Sequence, residues 1–372
     1  MHFLSLLFIV STAAAVLIPA PNGPYPVSVT VKAMTDESRI DPYSPKDHRQ
    51  KREVLVSLFL PIDQKQISAT KRIIPYMTPA VAANLGQMAS AAGLPADTFA
   101  AFELETNVVV PTAACGKPPA KVTEIPLVLF SPGGGNSRLL YGTMARSLAS
   151  EGYAVVTIDH PYDASVVEFP DGKIVRADDS SFVLDQIKNP KTFEKELAAH
   201  RLSIDFKRVL MYGHSQGGAT AALAMLTDPR IKGGVNLDGR FFGTVMTKGL
   251  SRPFALLGRP NHSAEDKTWP QVFPKLRGSR FEMAVADAIH GSFTDLPILV
   301  DSLGLPVDVR KAVAPLVGLA SGEQMDKVVK GVMVAFSELV FRENPAPAVL
   351  KKGQTQITGL TVLQSTIRKS TD

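Results

Sequence analysis

The stretch Val209-Leu210-Met211-Tyr212-Gly213-His214-Ser215-Gln216-Gly217-Gly218-Ala219 constrains this chain more than any other. A short apolar run meets Gly-His-Ser-Gln-Gly, and small residues follow. The pattern predicts a buried strand, a sharp turn that lifts one serine, and a helix that leaves with its positive end toward the serine oxygen. Gly213 and Gly217 leave room beside a strained serine, while Gly218 and Ala219 let the helix start pack close to the strand. Gly-x-Ser-x-Gly alone is a common string. The strand before it and the small-residue helix after it make it informative.

The chain has 372 residues, enough for one α/β domain with insertions and a large core. Hydrophobic residues make up 45% and charged residues 20%, which excludes a disordered chain. The net charge of +5 is small and scattered, so nucleic acid is a poor partner. Residues 3–10 are apolar except Ser5 and run into Ser11-Thr12-Ala13-Ala14-Ala15, which reads as a secretory signal. Cleavage after Ala15 or after Ala20 fits. No Lys or Arg precedes the run, and residues 3–18 fall short of the ~20 that a membrane span needs. Cys115 is the only cysteine, so no intrachain disulfide forms and no catalytic thiol is indicated. Asn261-His262-Ser263 is a glycosylation sequon, usable if the chain is secreted.

Residues 25–34 alternate and predict a strand. Residues 54–60 predict a second, and the two form an antiparallel edge on a larger sheet. Residues 77–92 have helical spacing, and 96–104 suggest another short helix. The insertion 74–107 is expected as a small helical cap over the site, with a plain surface helical pair as the alternative. From the strand at 126–130 onward, strand and helix alternate, which implies a parallel sheet with helices on both faces. Helices are expected at 139–150, 180–187, 218–226 and 324–341. Strands are expected at 154–158, 209–212, 234–237, 254–257 and 281–286. The tail 343–372 is expected to be irregular.

A serine hydroxyl needs a base, and the base needs an orienting acid. Of the two histidines after Ser215, His290 follows an apolar strand and precedes a flexible Gly291-Ser292 turn, whereas His262 sits in a polar loop. His290 therefore suits the base. Asp238 ends the strand at 234–237 and suits the acid. Glu265, Asp266, Asp287 and Asp295 are its rivals. Two amides must hold the developing oxyanion. Gln216 N–H follows the nucleophile, and Gly134 N–H lies in Ser131-Pro132-Gly133-Gly134-Gly135-Asn136, after the first buried strand. The glycine loop lacks the spacing of a phosphate-binding loop. Gly133, Gly135, His160 and Tyr162 are expected to line the substrate pocket. His160 and Asp163 lack the companions of a metal site, so no metal or cofactor is expected. His214 is expected to point away from substrate, and His48 and His200 to lie on the surface.

Taken together, Ser131-Pro132-Gly133-Gly134-Gly135, Asp159-His160-Pro161-Tyr162-Asp163, Gly213-His214-Ser215-Gln216-Gly217-Gly218, Asn236-Leu237-Asp238-Gly239 and His290-Gly291-Ser292-Phe293-Thr294-Asp295 stand in the order seen in a known family. The chain resembles platelet-activating-factor acetylhydrolase-like α/β-hydrolases, most closely the secreted microbial branch, over roughly residues 25–341. The resemblance implies an α/β-hydrolase fold and a calcium-independent serine hydrolase of short acyl esters, with Ser215, Asp238 and His290 as the triad. Pro132-Gly133 stands where many animal members carry His-Gly, and Gly134 where they carry a bulkier residue, which bears on the acyl pocket.

The expected organisation is a signal peptide over 1–20, a hydrolase domain over 21–342 with its cap at 74–107, and a tail over 343–372. The expected function is a secreted serine esterase of short-chain acyl esters, including acetylated phospholipids. A hydrolase dedicated to one natural product or other ester, and a non-catalytic binding protein on the same fold, are the alternatives. The expected partner is a small ester or lipid, without stable membrane insertion once the signal is removed. The oligomeric state stays open.

Overall fold

The computed structural model describes residues 15–41, 47, 49–109, 122–160, 165–166, 180–343, 347–354 and 356–368. Twelve strands run along these residues: β1 Val16–Leu17, β2 Val27–Ile40, β3 Lys51–Pro61, β4 Ile67–Pro75, β5 Phe102–Val109, β6 Thr123–Ser131, β7 Ala154–Asp159, β8 Leu202–His214, β9 Ile231–Leu237, β10 Phe254–Gly258, β11 Arg280–Val285 and β12 Leu360–Thr366. Nine form one sheet in the order β12-β11-β10-β9-β8-β6-β7-β3-β2, and β1-β5-β4 form a second, smaller one. The stretch from β7 to β11 is parallel. Antiparallel strands close both edges, β3 and β2 at one and β12 at the other.

Alternation along the central strands decides the layering. Leu127, Leu129, Val209 and Met211 face a core shared with the helices Ser180–Lys188 and Gln216–Thr227. Val128, Phe130, Leu210 and Tyr212 face the opposite core, shared with the helices Gly142–Ala149 and Gly322–Val340. The chain is therefore an α/β-hydrolase sandwich: a mostly parallel sheet buried on both faces. Truncating Leu129, which is 0% exposed, to Ala should cost about 2–5 kcal/mol of stability.

Register brings the functional ends together. Ser131 pairs with Gly213, Gly213 with Asn236, and Leu237 with Leu257, all at the carboxyl ends of their strands. The loop after β6 and the turns after β8, β9 and β10 thus leave the sheet side by side, where ligands bind in such folds.

Three local expectations are corrected. Residues 96–104 do not form a second cap helix. A 3-10 turn, Thr98–Ala101, leads into β5, where Phe102 and Leu104 turn inward and their neighbours outward, a strand's period. The tail is not irregular throughout, because Leu360 and Val362 bury one face of β12 against β11. His200 is not a surface residue: it is 7% exposed and bonds Ser28 Oγ through Nε2 at 2.6 Å. The helix Pro79–Ala91 falls where sequence periodicity puts it. His48, Cys115, Tyr162, Asp163 and residues 1–14 of the expected signal lie outside the described residues. Among the described residues, no helix is long and apolar enough to cross a membrane.

Candidate active site

β8 ends at His214, and the helix Gln216–Thr227 begins one residue after Ser215. Ser215 occupies that junction with φ 55° and ψ −122°, a conformation that costs a non-glycine residue about 1–3 kcal/mol. The turn is closed so tightly that a Cβ on Gly213 would stand 2.2 Å from the Gly217 carbonyl oxygen, and one on Gly217 2.0 Å from that of Ser131. Only glycine fits at either position. The Ser215 N–H donates to the Leu237 carbonyl at 2.9 Å, tying the turn to the end of β9.

Three side chains stand in series across these strand ends. Ser215 Oγ lies 3.0 Å from His290 Nε2, and His290 Nδ1 donates to Asp238 Oδ2 at 2.7 Å. His290 sits in a 3-10 turn, His290–Phe293, after β11, with its side chain half exposed. The Asp238 side chain is fully buried. Burial pushes its carboxyl up, but hydrogen bonds from His262 and His290, the charge of His262 and the Arg259 N–H more than offset that. The net result is a group well below the usual carboxylate range. Asp238 itself has φ 52°, and the Asn236 side chain braces its turn by accepting from Gly239 N–H at 2.7 Å and donating to the Gly239 carbonyl at 2.8 Å.

The rival acids lie elsewhere. Asp295 accepts from the amides of Thr143 at 2.6 Å and Met144 at 3.1 Å, and from the Tyr76 hydroxyl. It therefore caps the helix Gly142–Ala149 rather than the helix that follows it in sequence. Asp287 offers its carbonyl to Leu319 and Ala320. Glu265 and Asp266 reach Arg259 and His262 rather than His290.

The loop after β6 is fixed by Tyr141, whose hydroxyl oxygen accepts from Gly133 N–H at 3.1 Å and from the Asn136 amide at 2.8 Å. Gly133 N–H is thereby used away from the serine. Gly134 faces the elbow: a Cβ there would come within 2.5 Å of the Gln216 side-chain oxygen. His214 is buried yet lines the cavity beside Ser215, contrary to expectation, while its ring nitrogens are taken up by the Tyr141 hydroxyl and the His290 carbonyl. Burial, then repulsion by His290, depresses its imidazole to about 3, so it is neutral.

A cavity of about 210 Å³ opens onto Ser215 and His290. One wall is the helix Pro79–Ala91, through Leu85, Met88 and Ala89, and the opposite wall is the helix Val307–Val317, through Val313 and Leu316. The insertion thus stands over the site. The expected pocket wall is corrected, because Gly134 and Asn136, not Gly133 and Gly135, line the cavity. Gly135 turns at φ 81° and takes the Ser165 amide on its carbonyl. His160 is 4% exposed and bonds Ser131 Oγ at 2.8 Å, behind the loop rather than in the pocket.

The family model described as platelet-activating factor acetylhydrolase, isoform II, matches residues 10–197, and that of the alpha/beta hydrolase family matches 128–349. The chain belongs to the platelet-activating factor acetylhydrolase family, isoform II. A probable 1-alkyl-2-acetylglycerophosphocholine esterase of Arthroderma benhamiae is 29% identical over 322 residues, 81% of this chain and 82% of that protein. The platelet-activating factor acetylhydrolase of Cavia porcellus is 24% identical over 218 residues, 48% of this chain and 50% of that protein. Among solved structures, a ferulic acid esterase from Streptomyces cinnamoneus superposes with a TM-score of 0.68 at 29% identity, covering 94% of this chain and all of that one. As a member of the acetylhydrolase family with these relatives, the chain is a carboxylic-ester hydrolase of the alpha/beta type.

Sequence reasoning misses one cluster in this ester hydrolase. His262, read as a loop residue, is 5% exposed and donates through Nδ1 to Asp238 Oδ1 at 2.7 Å. Its ring packs against Trp269 with centroids 3.9 Å apart. Arg259 donates to the same carboxylate through its backbone N–H at 2.8 Å and Nη1 at 2.7 Å. The usable signal is positional: Arg259 directly follows β10, the neighbour of the strand that ends at Asp238.

Proposed function

We propose that this chain is a secreted serine esterase that cleaves short-chain acyl esters through an acyl-enzyme on Ser215. The observation that carries the reading is the unbroken series Ser215 Oγ, His290, Asp238, at 3.0 and 2.7 Å. In the reaction His290 Nε2 takes the Ser215 proton as Oγ bonds the acyl carbon. Asp238 holds the imidazole in the required tautomer and stabilises its cation. The oxyanion is held by Gln216 N–H, at the head of its helix, and by Gly134 N–H. Each such donor is worth about 10²–10³ in kcat. The imidazolium then returns its proton to the departing alcohol, and water repeats the cycle on the acyl-enzyme.

The test is Ser215→Ala, with fluorophosphonate labelling and ester turnover as readouts. Both vanish if Ser215 is the nucleophile, because the three groups act as a unit. Labelling at the wild-type rate would remove the assignment.

Acetylated phospholipids are one substrate class this reading covers, supported by the names of the Arthroderma and Cavia relatives. An ester of an aromatic acid is a second reading. It is favoured by the likeness to the ferulic acid esterase and by an apolar cavity larger than an acetyl group needs. Comparing an acetyl ester with a feruloyl ester in one assay separates them.

Secretion is part of the proposal, with the leader ending at Ala15. Val16 and Leu17 pair with Phe102 and Glu103, and Ile18 is 1% exposed, so a cut after Ala20 would strip a strand and a core residue from the fold. Asn261 is exposed, which suits glycan attachment on a secreted chain.

A further inference from the structure

We propose that Arg259 and His262 are positioning residues that hold the triad acid Asp238, and that Arg259 sets the pH range over which His290 acts as a base. The inference rests on reading Ser215, His290 and Asp238 as the triad.

One buried carboxylate receives four donors. Oδ1 takes Arg259 N–H at 2.8 Å and His262 Nδ1 at 2.7 Å. Oδ2 takes Arg259 Nη1 at 2.7 Å and His290 Nδ1 at 2.7 Å. Every lone-pair direction is filled, so the carboxylate cannot rotate without losing several charge-assisted bonds. The fold makes the arrangement. Leu237 and Leu257 are paired neighbours, and the residues just beyond them are Asp238 and, one step later, Arg259.

The two clamps differ in what they do. His262 fixes orientation: its ring is trapped against Trp269 and its Nε2 points at Asp266 Oδ2, 3.3 Å away. Arg259 carries a permanent charge on the same oxygen that orients His290. When Ser215 gives up its proton, the imidazolium must share that oxygen with a guanidinium. The shared oxygen stabilises the imidazolium less than a carboxylate free of the guanidinium would. Glu265 Oε2 accepts from Arg259 Nη2 at 2.7 Å, steadying the fork and offsetting part of its charge. The titratable and charged groups facing Asp238 and His290 are thus Arg259, His262, Glu265 and Asp266 beyond β10, and His214 on the elbow. The neutral ring of His214 lies 4.5 Å from that of His290.

The test is the pH profile of kcat/KM on an acetyl ester, together with the pH dependence of fluorophosphonate labelling, which needs no ester substrate. Arg259→Gln should move the acid limb of both curves upward by roughly one pH unit. Arg259→Lys should return it. Glu265→Gln lies at an exposed position that threatens no core, and it should move the limb the opposite way by a fraction of a unit. His262→Ala should lower kcat by about tenfold with KM unchanged, and His262→Gln, which restores an N–H donor, should recover most of it. Limbs that stay at the wild-type pH in Arg259→Gln and Glu265→Gln would overturn the role of Arg259. Equal kcat in His262→Ala and wild type would overturn that of His262. If Ser215→Ala kept activity, the triad reading itself would fail, an outcome distinct from either.

Discussion

The Tyr141 hydroxyl lies 2.9 Å from Nδ1 of His214, and through this pair the glycine loop after β6 is joined to the turn that carries His290. The hydroxyl proton goes to Nδ1, while its oxygen accepts from Gly133 N–H and the Asn136 amide. On the far side of the ring, His214 Nε2–H donates to the His290 carbonyl at 3.0 Å. The chain works only with a neutral imidazole, and burial keeps it so. The loop that presents Gly134 and the turn that presents His290 therefore share one brace.

Tyr141→Phe should cut that brace while keeping the ring between Phe130 and His214. Gly133 N–H and Asn136 lose a buried acceptor, which costs about 1–3 kcal/mol of stability. The loop amide loses its aim, so kcat should fall by about ten- to a hundredfold while KM changes little. Steady-state kinetics beside thermal melting check both parts. A lower Tm with unchanged kcat would make the brace structural only.

The same pairings explain what the sequence could and could not reveal. Ser215, Asp238 and His290 each follow an apolar run that ends at one edge of the sheet, so strand order alone aligns them. His262 also follows such a run, β10, but it sits in the polar segment Arg259-Pro260-Asn261 onward, which reads as a plain loop. Its partner is created by β10 lying beside β9, a neighbour relation that no local pattern encodes. Likewise β12 announces itself only once β11 offers an edge to pair with. Residues 102–109 alternate legibly, but the Ala-rich composition before them masks the change of period.

Asp295 and Asp238 should separate by pH. Burial raises the Asp295 carboxyl to about 6, against the hydrogen bonds of Thr143, Tyr76 and Met144. Its folded value lies above its unfolded one. The stability it contributes is thus fully present below about pH 4 and is lost as pH rises through about 6, a loss of order 3 kcal/mol. In Asp295→Asn that portion of the pH dependence should vanish, as measured by urea unfolding between pH 4 and 7. Esterase kcat should hardly change. Asp238→Asn should do the reverse, lowering kcat by orders of magnitude through loss of tautomer control. A crippled Asp295→Asn enzyme of normal stability would reverse the assignment of the acid.

The mature N-terminus is a direct readout of the leader proposal. Mass spectrometry of chain collected from the medium should find Val16 first. A chain beginning at Pro21 would lack β1 and Ile18 and should melt at lower temperature, because the β5 edge would be left unpaired.

The cavity sets the last expectation, acyl length. Its walls are mostly apolar, so while space remains each added methylene should bring about 0.8 kcal/mol, roughly fourfold in kcat/KM. Once the chain reaches the cap helix, further methylenes must displace packed side chains or bend back. The profile should therefore cover acetyl to butyryl esters and fall steeply beyond. Leu85 is 7% exposed and forms part of the cap-side wall, so Leu85→Ala should move the fall to longer chains. Met88 is 49% exposed at the same wall, and Met88→Trp should narrow the space and penalise butyryl more than acetyl, with little effect on stability. The measurement is kcat/KM on p-nitrophenyl esters from two to twelve carbons for all three proteins. A wild-type rate that keeps rising through dodecanoyl would mean that the chain lies in an open groove, and Leu85 and Met88 would then have no say in length.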